Sequence, residues 1–569
     1  MATTDGTAAR SATSNGSFEC SDSAIAVPQD LVAARPAPGI NARALLRKCF
    51  SFPVLLGALL LAGVFVCGRA RLADPDTWWH VAVGERILHT HTWPISDPYS
   101  FTARGSDWMA SEWLGEVIMA LAARLGGLTA LTALLIGLAG LLLLLLYCYS
   151  FLRTASWKAA FASCLLMLPL AALSFTLRPQ LLGYVFLLIT LICLECFRQG
   201  RGKALWFLPG VFLLWVNTHG TFIFGIMAMG LYWASGLVSF HFGGLEAKRW
   251  TTGERRKLAA VFLVCVLALT LTPYGTRAAA YPLQIALSQP VNISNIQEWQ
   301  PVRFDLWMGK LFLCWVLLFL LAQLFLRPKY RLEEMVLLFF AAYAAFLHER
   351  FLLLFAVVFA PVLAAVLARW VTAYNVAKDR CGLNAALLVV IVAGLLALFP
   401  TLGELEREVE KKYPVRAVEY VRQHPLHGHM LNDYGWGGYL IWVAGGELSV
   451  FIDGRADAYE HNGVHSDYNR ITQVDRQTQF LLLKYDVQAC LIKRDAPLAT
   501  FLAALPDWEP VYADDLSILF VRRTKRSALA TDDGTVRSTA QFPGPDRHAG
   551  SPIMQMPAAT PSRGVSRQL

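Results

Sequence analysis

Two aspartates and a histidine follow the first apolar run of this sequence, in Asp74-Pro75-Asp76-Thr77-Trp78-Trp79-His80. Asp76 and His80 are four residues apart, so a helix that begins at Asp76 places both on one face. Asp76, with Asp74 as a substitute, could act as a general base toward an acceptor hydroxyl or help to bind a divalent metal, for which His80 is another possible ligand. The structural alternative is that an aspartate caps the helix while the tryptophans anchor it at a membrane surface.

Three basic side chains interrupt apolar segments further along the chain. Arg178 precedes Pro179, His219 precedes Gly220, and Arg350 ends His348-Glu349-Arg350. An arginine in such a place can hold a phosphate through paired hydrogen bonds, and a histidine can donate to a leaving phosphate or help to bind a metal. The alternatives are a side chain that reaches to lipid headgroups, an internal ion pair or, for His219, an ordinary hydrogen bond at a turn.

Two later stretches could hold an acceptor. Glu298 lies in a long connection, 274–309, whose glycine and prolines would let it close over a substrate. Between 432 and 439, glycines alternate with residues suited to stacking on or hydrogen bonding to sugars or peptides, namely Asp433, Tyr434, Trp436 and Tyr439. The alternatives are a solvated glutamate and a glycine turn packed against an aromatic core.

The composition indicates where such residues must act. Of the 569 residues, 56% are apolar and only 16% are charged, against about 25% charged residues in a typical soluble domain. The net charge of +9 is spread over short clusters between apolar runs. That distribution is typical of membrane orientation and argues against a nucleic-acid partner.

Apolar runs predict an all-α polytopic membrane domain over 51–403 with about eleven transmembrane helices. They lie at 51–70, 127–152, 159–177, 180–197, 204–218, 220–240, 258–273, 310–326, 333–348, 351–369 and 384–402. Basic clusters fall on alternate connections, so the positive-inside rule predicts a cytoplasmic N-terminus. The long loops 71–126 and 274–309, and every candidate residue above, then lie on the extracytoplasmic side.

The remaining segments have a different character. Residues 404–524 mix helical and strand patterns and predict a small extracytoplasmic α/β domain. A helix is expected at 404–423, and strands are expected at 448–452, 487–492 and 518–521. The tails 1–50 and 525–569 are rich in small and polar residues and predict disorder.

Three of these stretches resemble the catalytic subunit of oligosaccharyltransferase, a member of the GT-C superfamily of membrane glycosyltransferases. They are Asp76 to Arg86 with Ser96 to Phe101, Gln297 to Pro301, and Asn432 to Gly435. The resemblance implies that a polyprenyl-phosphate-linked donor is used at an extracytoplasmic site, with Asp76 as the key carboxylate. Mannosyltransferase-like and lipid-A-sugar-transferase-like members are equally good models.

The departures from that pattern leave the cofactor open. The resemblance admits a divalent metal, but the connection Leu177-Arg178-Pro179-Gln180 is too short to contain the family's second acidic metal motif, and Leu431 and Asn432 replace two tryptophans.

From the composition and the resemblance together, we expect an integral protein of the bacterial inner membrane that transfers a sugar or glycan to a glycan, lipid or protein acceptor. Membrane lipids would be its other partners. The alternative is a non-enzymatic transporter or assembly factor for lipid-linked glycans.

Overall fold

The structure is a computed structural model that describes residues 42–69, 72, 74–288, 296–326, 328–445, 448–460 and 462–523. The predicted tail 525–569 lies outside the described residues. So does the predicted N-terminal tail 1–50, apart from residues 42–50, where a helix, Ala42–Cys49, is found in place of the predicted disorder. The described helices of the predicted membrane region are Phe52–Gly68, Pro75–Thr90, Trp113–Thr154, Trp157–Ala171, Pro179–Arg198, Leu208–Val216, Phe222–Ser235, Thr252–Ala268, Thr276–Ser288, Trp307–Leu326, Leu332–Leu347, Leu352–Leu367 and Cys381–Ala397.

Fewer of the described helices are long and apolar enough to span a membrane than the sequence predicted. Six described segments are long and apolar enough to cross a membrane: Leu45–Gly68, Trp113–Thr154, Trp157–Ser174, Pro179–Arg198, Trp307–Leu326 and Glu349–Leu367. A seventh results if Cys381–Ala397 and Leu402–Glu410, which meet at 54°, form one bent span. The predicted count of about eleven is not confirmed, because helices such as Phe222–Ser235 are shorter than the roughly 20 residues that a bilayer requires.

Two glycines divide the longest helix where the sequence predicted a boundary. Gly126 and Gly127 have non-helical backbone angles, and Gly127 has a φ of 54°, a conformation that glycine adopts at little cost. The first segment, beginning at Trp113, lies within the predicted loop 71–126, and the second matches the predicted span 127–152. The kink therefore separates an element that carries polar groups from one that is apolar.

Buried ion pairs connect the ends of several spans. Arg153 pairs with Glu334, Arg198 with Glu333, and Arg331 with Glu195, the last at 2.6 Å. All three arginines belong to connections that the positive-inside rule assigns to the cytoplasm. Their convergence agrees with the predicted division of the connections into two groups.

The region after 400 forms a four-stranded sheet surrounded by short helices. The strands lie in the order His429–Asn432, Val487–Lys493, Ser517–Arg522 and Trp508–Ala513; the first pair is parallel and the others are antiparallel. The helices are Leu402–Glu410, Val415–Gln423, Gly437–Ala444, Asp457–Glu460, Val464–Thr472, Thr478–Lys484 and Pro497–Ala503. A small three-stranded sheet, Phe240–Phe242, Leu245–Ala247 and Tyr330–Arg331, lies elsewhere in the chain.

This α/β region matches its prediction in part. The strands expected at 487–492 and 518–521 are present. The helix expected over 404–423 is divided in two, with Pro414 immediately before the second helix, because proline cannot continue a helix interior. The strand expected at 448–452 is wrong, since only Val450 pairs there, in an isolated bridge with Ser100 of the first loop.

The helix Pro75–Thr90, which we call the first-loop helix, packs against this C-terminal region. Trp78 is fully buried, with ring centroids 5.4 Å from Tyr413, 5.6 Å from Tyr439 and 4.8 Å from Trp442. Aromatic side chains in such a cluster bury large apolar areas and pack in defined edge-to-face or tilted arrangements. It fixes the residues around Trp78, including Asp76 and His80, relative to the C-terminal region.

Candidate functional site

The first-loop helix begins with a capping aspartate. Asp74 is the N-cap and accepts a hydrogen bond from the Asp76 backbone N–H at 3.0 Å, and Pro75 occupies the first helical turn. Thr77 donates to the Leu177 carbonyl at 2.9 Å, which ties the helix to the Leu177-Arg178 turn. The structural alternative for Asp74 is thus realised, but capping does not exhaust the contacts of its side chain.

Arg178 joins three carboxylates. Its Nε and Nη2 each donate to one oxygen of Asp74 at 2.8 Å. Its Nη1 lies 3.0 Å from Asp76 Oδ2 and 2.8 Å from Glu298 Oε1. Carboxylates from two distant parts of the sequence, Asp74 with Asp76 and Glu298, therefore meet on one guanidinium, whose planar fork suits such paired contacts.

Asp76 lies where its charge is poorly solvated. Burial raises the pKa of its carboxyl to about 7; Arg178 opposes this shift, and Asp74 and Glu298 add to it. The Trp79 indole donates to Asp76 Oδ1 at 3.2 Å. A carboxylate with a pKa near the working pH is suited to accept a proton from an acceptor.

Gly454 of the C-terminal region closes one side of Asp76. A Cβ atom on this glycine would lie 1.9 Å from Asp76 Oδ1 and 3.0 Å from Trp79 Nε1. Only the absence of a side chain lets this backbone approach the carboxylate. The sequence analysis did not select Gly454, and the only available signal was its place in the Asp453-Gly454-Arg455 turn.

A second polar group surrounds Glu112, a residue that sequence reasoning missed. Glu112 lies 3.3 Å from His219 Nε2 and 3.8 Å from His80 Nε2, and Glu116 lies 3.2 Å from His80 Nδ1. Burial raises the pKa of Glu112 to about 8, with Arg350 opposing the shift and Asp457 and Asp76 adding to it. The spacing of the two glutamates, one helical turn apart at the start of an amphipathic stretch, was the signal that could have identified them.

The two histidines of this group are neutral. The Thr221 backbone N–H donates to His219 Nδ1 at 3.0 Å, so the ring proton lies on Nε2, which faces Glu112. Burial and the charges of Arg350 and Arg178 lower the pKa of His219 to about 3. Burial, Arg178 and His219 likewise lower the pKa of His80. His219 is therefore placed to donate a hydrogen bond and does not supply a positive charge to a phosphate.

Arg350 lies beside the segment that carries Glu298. Its guanidinium lies 4.2 Å from the Trp299 ring centroid, and His348 Nδ1 donates to the Trp299 carbonyl at 2.5 Å. The buried Nε of Arg350 has no hydrogen-bond partner among the described residues. Since a buried donor without a partner is costly, this atom is a candidate to bind an anion.

The C-terminal candidates separate into two pairs. Trp436 and Tyr439 are each 1% exposed: the Trp436 indole donates to the Lys412 carbonyl at 2.9 Å, and Tyr439 stacks on Tyr413. This placement differs from the expected acceptor surface, because residues in a packed core cannot stack on a ligand. Asp433 and Tyr434 remain partly exposed.

Of these two residues, Tyr434 is the one whose pKa is shifted by the charges of the Arg178 cluster. Burial raises the pKa of its hydroxyl, and the charge of Asp76 adds to the effect. The hydroxyl therefore stays protonated and can donate. Asp433 accepts from the Gly435 backbone N–H at 3.0 Å and lies 3.5 Å from Lys493, so it shapes this turn and balances a lysine.

A buried ion-pair network holds the first loop to the C-terminal region. Arg455 donates to Asp97 at 2.6 Å and to both oxygens of Asp453 at 2.8 and 2.6 Å, and all three side chains are fully buried. The Arg455 guanidinium also lies 4.8 Å from the Tyr99 and Trp108 ring centroids. This network, which the sequence analysis did not select, positions Gly454 beside Asp76.

Comparison with known proteins gives likenesses of fold alone. No protein-family model and no curated protein sequence matches the chain. The archaeal oligosaccharyltransferase AglB from Archaeoglobus fulgidus, in complex with an inhibitory peptide and a dolichol-phosphate, is 12% identical with a TM-score of 0.46; the match covers 80% of this chain and 70% of that one. ArnT from Cupriavidus metallidurans bound to undecaprenyl phosphate is 14% identical with a TM-score of 0.44, over 83% and 98% of the two chains.

One of these two neighbours is an oligosaccharyltransferase, the kind of enzyme whose catalytic subunit the sequence resembles. At TM-scores below 0.5 the likeness is not close enough to transfer a role to any residue.

Proposed function

We propose that this protein is a membrane glycosyltransferase that moves a sugar or glycan from a polyprenyl-phosphate-linked donor to an extracytoplasmic acceptor. The observation that carries the proposal is the position of Asp76. It is a carboxylate with a pKa of about 7, and it lies on a helix that directly follows the first apolar span. It contacts Arg178, and Arg350 lies over Trp299, the residue after Glu298. A base and cations beside a membrane span are the parts that transfer from a lipid phosphate requires.

The transfer step follows from those parts. Asp76 takes the proton from the acceptor hydroxyl or amide as the acceptor atom forms a bond to the anomeric carbon of the sugar. The bond between that carbon and the phosphate oxygen breaks, and its electron pair leaves on the polyprenyl phosphate. We assign the stabilisation of the negative charge that develops on that oxygen first to Arg350, whose Nε has no partner among the described residues. Arg178 is the weaker candidate for this role, because each of its three side-chain nitrogens already contacts a carboxylate.

The acceptor side is assigned to the C-terminal region. The Tyr434 hydroxyl, kept protonated by burial and by Asp76, is a donor that can orient an acceptor oxygen toward the base. Glu298 contacts Arg178, and its side chain is 38% exposed, which makes it the most accessible carboxylate of the Arg178 cluster. It lies within the long connection 274–309. We do not assign Trp436 or Tyr439 to acceptor binding, because both are buried.

The donor class comes from chemistry and from the sequence resemblance. A site on the extracytoplasmic side has no supply of nucleotide sugars, so its sugar must arrive attached to a lipid. A bacterial inner-membrane location and an extracytoplasmic C-terminal region belong to this proposal, and the grouping of Arg153, Arg198 and Arg331 in buried ion pairs at other span ends supports it.

Reconstitution tests the proposal. Purified protein in liposomes would receive a radiolabelled polyprenyl-phosphate sugar and a cell-envelope acceptor extract. We expect label to move to the acceptor while free polyprenyl phosphate appears in equal amount. If the donor crosses between leaflets without being consumed, the protein is a transporter of lipid-linked glycans and the proposal is wrong.

A further inference from the structure

The carboxylates around Asp76 already have a cation. Arg178 contacts Asp74 at 2.8 Å through two nitrogens, and its Nη1 lies 3.0 Å from Asp76 and 2.8 Å from Glu298. The three carboxylates and one guanidinium form a single cluster in which every carboxylate touches the same positive group. The Arg178 side chain is 16% exposed, so water contributes little to the compensation of these charges.

The geometry of this cluster does not fit a divalent ion. Nη1 occupies the space between one oxygen of Asp76 and one oxygen of Glu298. An ion that bound both oxygens at about 2.0–2.6 Å would need that space. Among the residues that the structure describes, no three histidine, cysteine or acidic side chains are grouped so that they could hold a metal.

His80, the other metal candidate from the sequence, has different partners. Its Nδ1 lies 3.2 Å from Glu116, and its Nε2 lies 3.8 Å from Glu112. Glu116 and His80 are almost fully buried, at 1% and 4% side-chain exposure. The imidazole is thus engaged by two glutamates and contacts none of the carboxylates that Arg178 holds.

We infer that the Arg178 cluster works without a divalent ion, and that Arg178 supplies the fixed positive charge which a bound metal would otherwise provide to Asp74, Asp76 and Glu298. This departs from the divalent metal that the sequence resemblance admits. It deepens the proposed function, since it makes the positive charge beside the base Asp76 a part of the protein. Arginine suits this role because its charge does not depend on pH and its planar fork matches carboxylates.

Removal of Arg178 therefore has a specific consequence. The position of Nη1, now 3.0 Å from Asp76 Oδ2 and 2.8 Å from Glu298 Oε1, would open between those two oxygens, and the nearby Asp74 would lose its partner as well. Oxygen ligands in that number attract divalent ions. Arg178→Ala should gain a Mn²⁺ site that the wild type lacks, and Arg350→Ala, which leaves the cluster intact, should not.

The experiment measures Mn²⁺ binding by electron paramagnetic resonance on purified full-length protein, with transfer assayed in parallel with and without EDTA. We expect Arg178→Ala to bind Mn²⁺ at least about tenfold more tightly than the wild type or Arg350→Ala. We also expect the wild-type transfer rate to be unchanged by EDTA. Arg178→Gln serves as the second variant if Arg178→Ala does not fold.

Two results would overturn the inference. One is stoichiometric Mn²⁺ binding by the wild type that Asp76→Asn abolishes. The other is a folded Arg178→Ala or Arg178→Gln protein that gains no Mn²⁺ affinity. Because Mn²⁺ binding needs no turnover, a protein that binds no Mn²⁺ and also transfers no sugar would refute the proposed function and leave this inference standing.

Discussion

Gly454→Ala should disable the site without replacing any titratable group. The added Cβ would lie 1.9 Å from Asp76 Oδ1, whereas such contacts are essentially never shorter than 3.0 Å, so the carboxylate and this backbone must separate by about 1 Å or more. That shift disturbs the 3.2 Å hydrogen bond to Trp79 and the 3.0 Å contact with Arg178.

The size of the effect follows from that displacement. A misplacement of about 1 Å costs on the order of 10²-fold in rate, so we expect kcat/KM to fall by about 10²-fold in the labelled-donor assay. Gly394→Ala is the matched control, because it adds the same methyl group where nothing lies within 4 Å. It should leave the rate unchanged.

A double variant separates displacement of the base from general damage. In an Asp76→Asn background, Gly454→Ala should cost little further rate, since residues that act as a unit are not additive. A Gly454→Ala protein with wild-type kcat/KM would refute the placement of Asp76 as the base. So would a full further loss in the double variant.

Three other predictions test the account independently. The transfer rate should rise as the pH is raised through about 7, because burial places the pKa of Asp76 there and only its deprotonated form accepts a proton; a flat profile from pH 5 to 9 would contradict this. Asp97→Asn should lower the free energy of unfolding by about 3 kcal/mol, because it removes the negative charge that pairs with the fully buried Arg455. Glu509→Gln, at the exposed pair with Arg523, should lower it by less than about 1 kcal/mol. Denaturant titration measures both changes. In a cysteine-depleted protein, Ala503→Cys should react with an impermeant thiol reagent in intact cells and Gly253→Cys only after permeabilisation, and the reverse labelling would overturn the proposed orientation.

The chemistry-bearing residues could be predicted because they break an apolar pattern. Asp76 and Arg178 stand beside apolar segments, where a charge is costly, and that cost identified them. Glu298 was identified instead by its place in the long connection 274–309. The structure brings all three together on one guanidinium. The boundary at 126–127 was likewise predictable, since a pair of glycines separates two kinds of helical pattern.

Other features could not be predicted in this way, because the sequence gives the type of each residue and not how deeply its side chain is buried. Trp436 and Tyr439 look like a stacking surface, yet Tyr413 and Lys412 cover them. Gly454 acquires its role only when Arg455 pairs with Asp97, a contact that spans 358 positions. The predicted count of about eleven spans is not confirmed for a related reason: among the described residues, apolar helices such as Leu332–Leu347, of 16 residues, fit the composition pattern but are shorter than the roughly 20 residues that a bilayer requires.

The most direct test of the account is the transfer rate of Asp76→Asn. Asparagine keeps the size of the side chain and an oxygen that can accept from Trp79, and the capping residue Asp74 is unchanged. Expression and binding of the donor lipid should therefore stay near wild type, while transfer from the radiolabelled polyprenyl-phosphate sugar should fall by roughly 10²–10⁴-fold, as for loss of a general base. Asp74→Asn, which keeps a capping side chain, should show a milder loss. Full transfer activity in Asp76→Asn would contradict the assignment of Asp76 as the base.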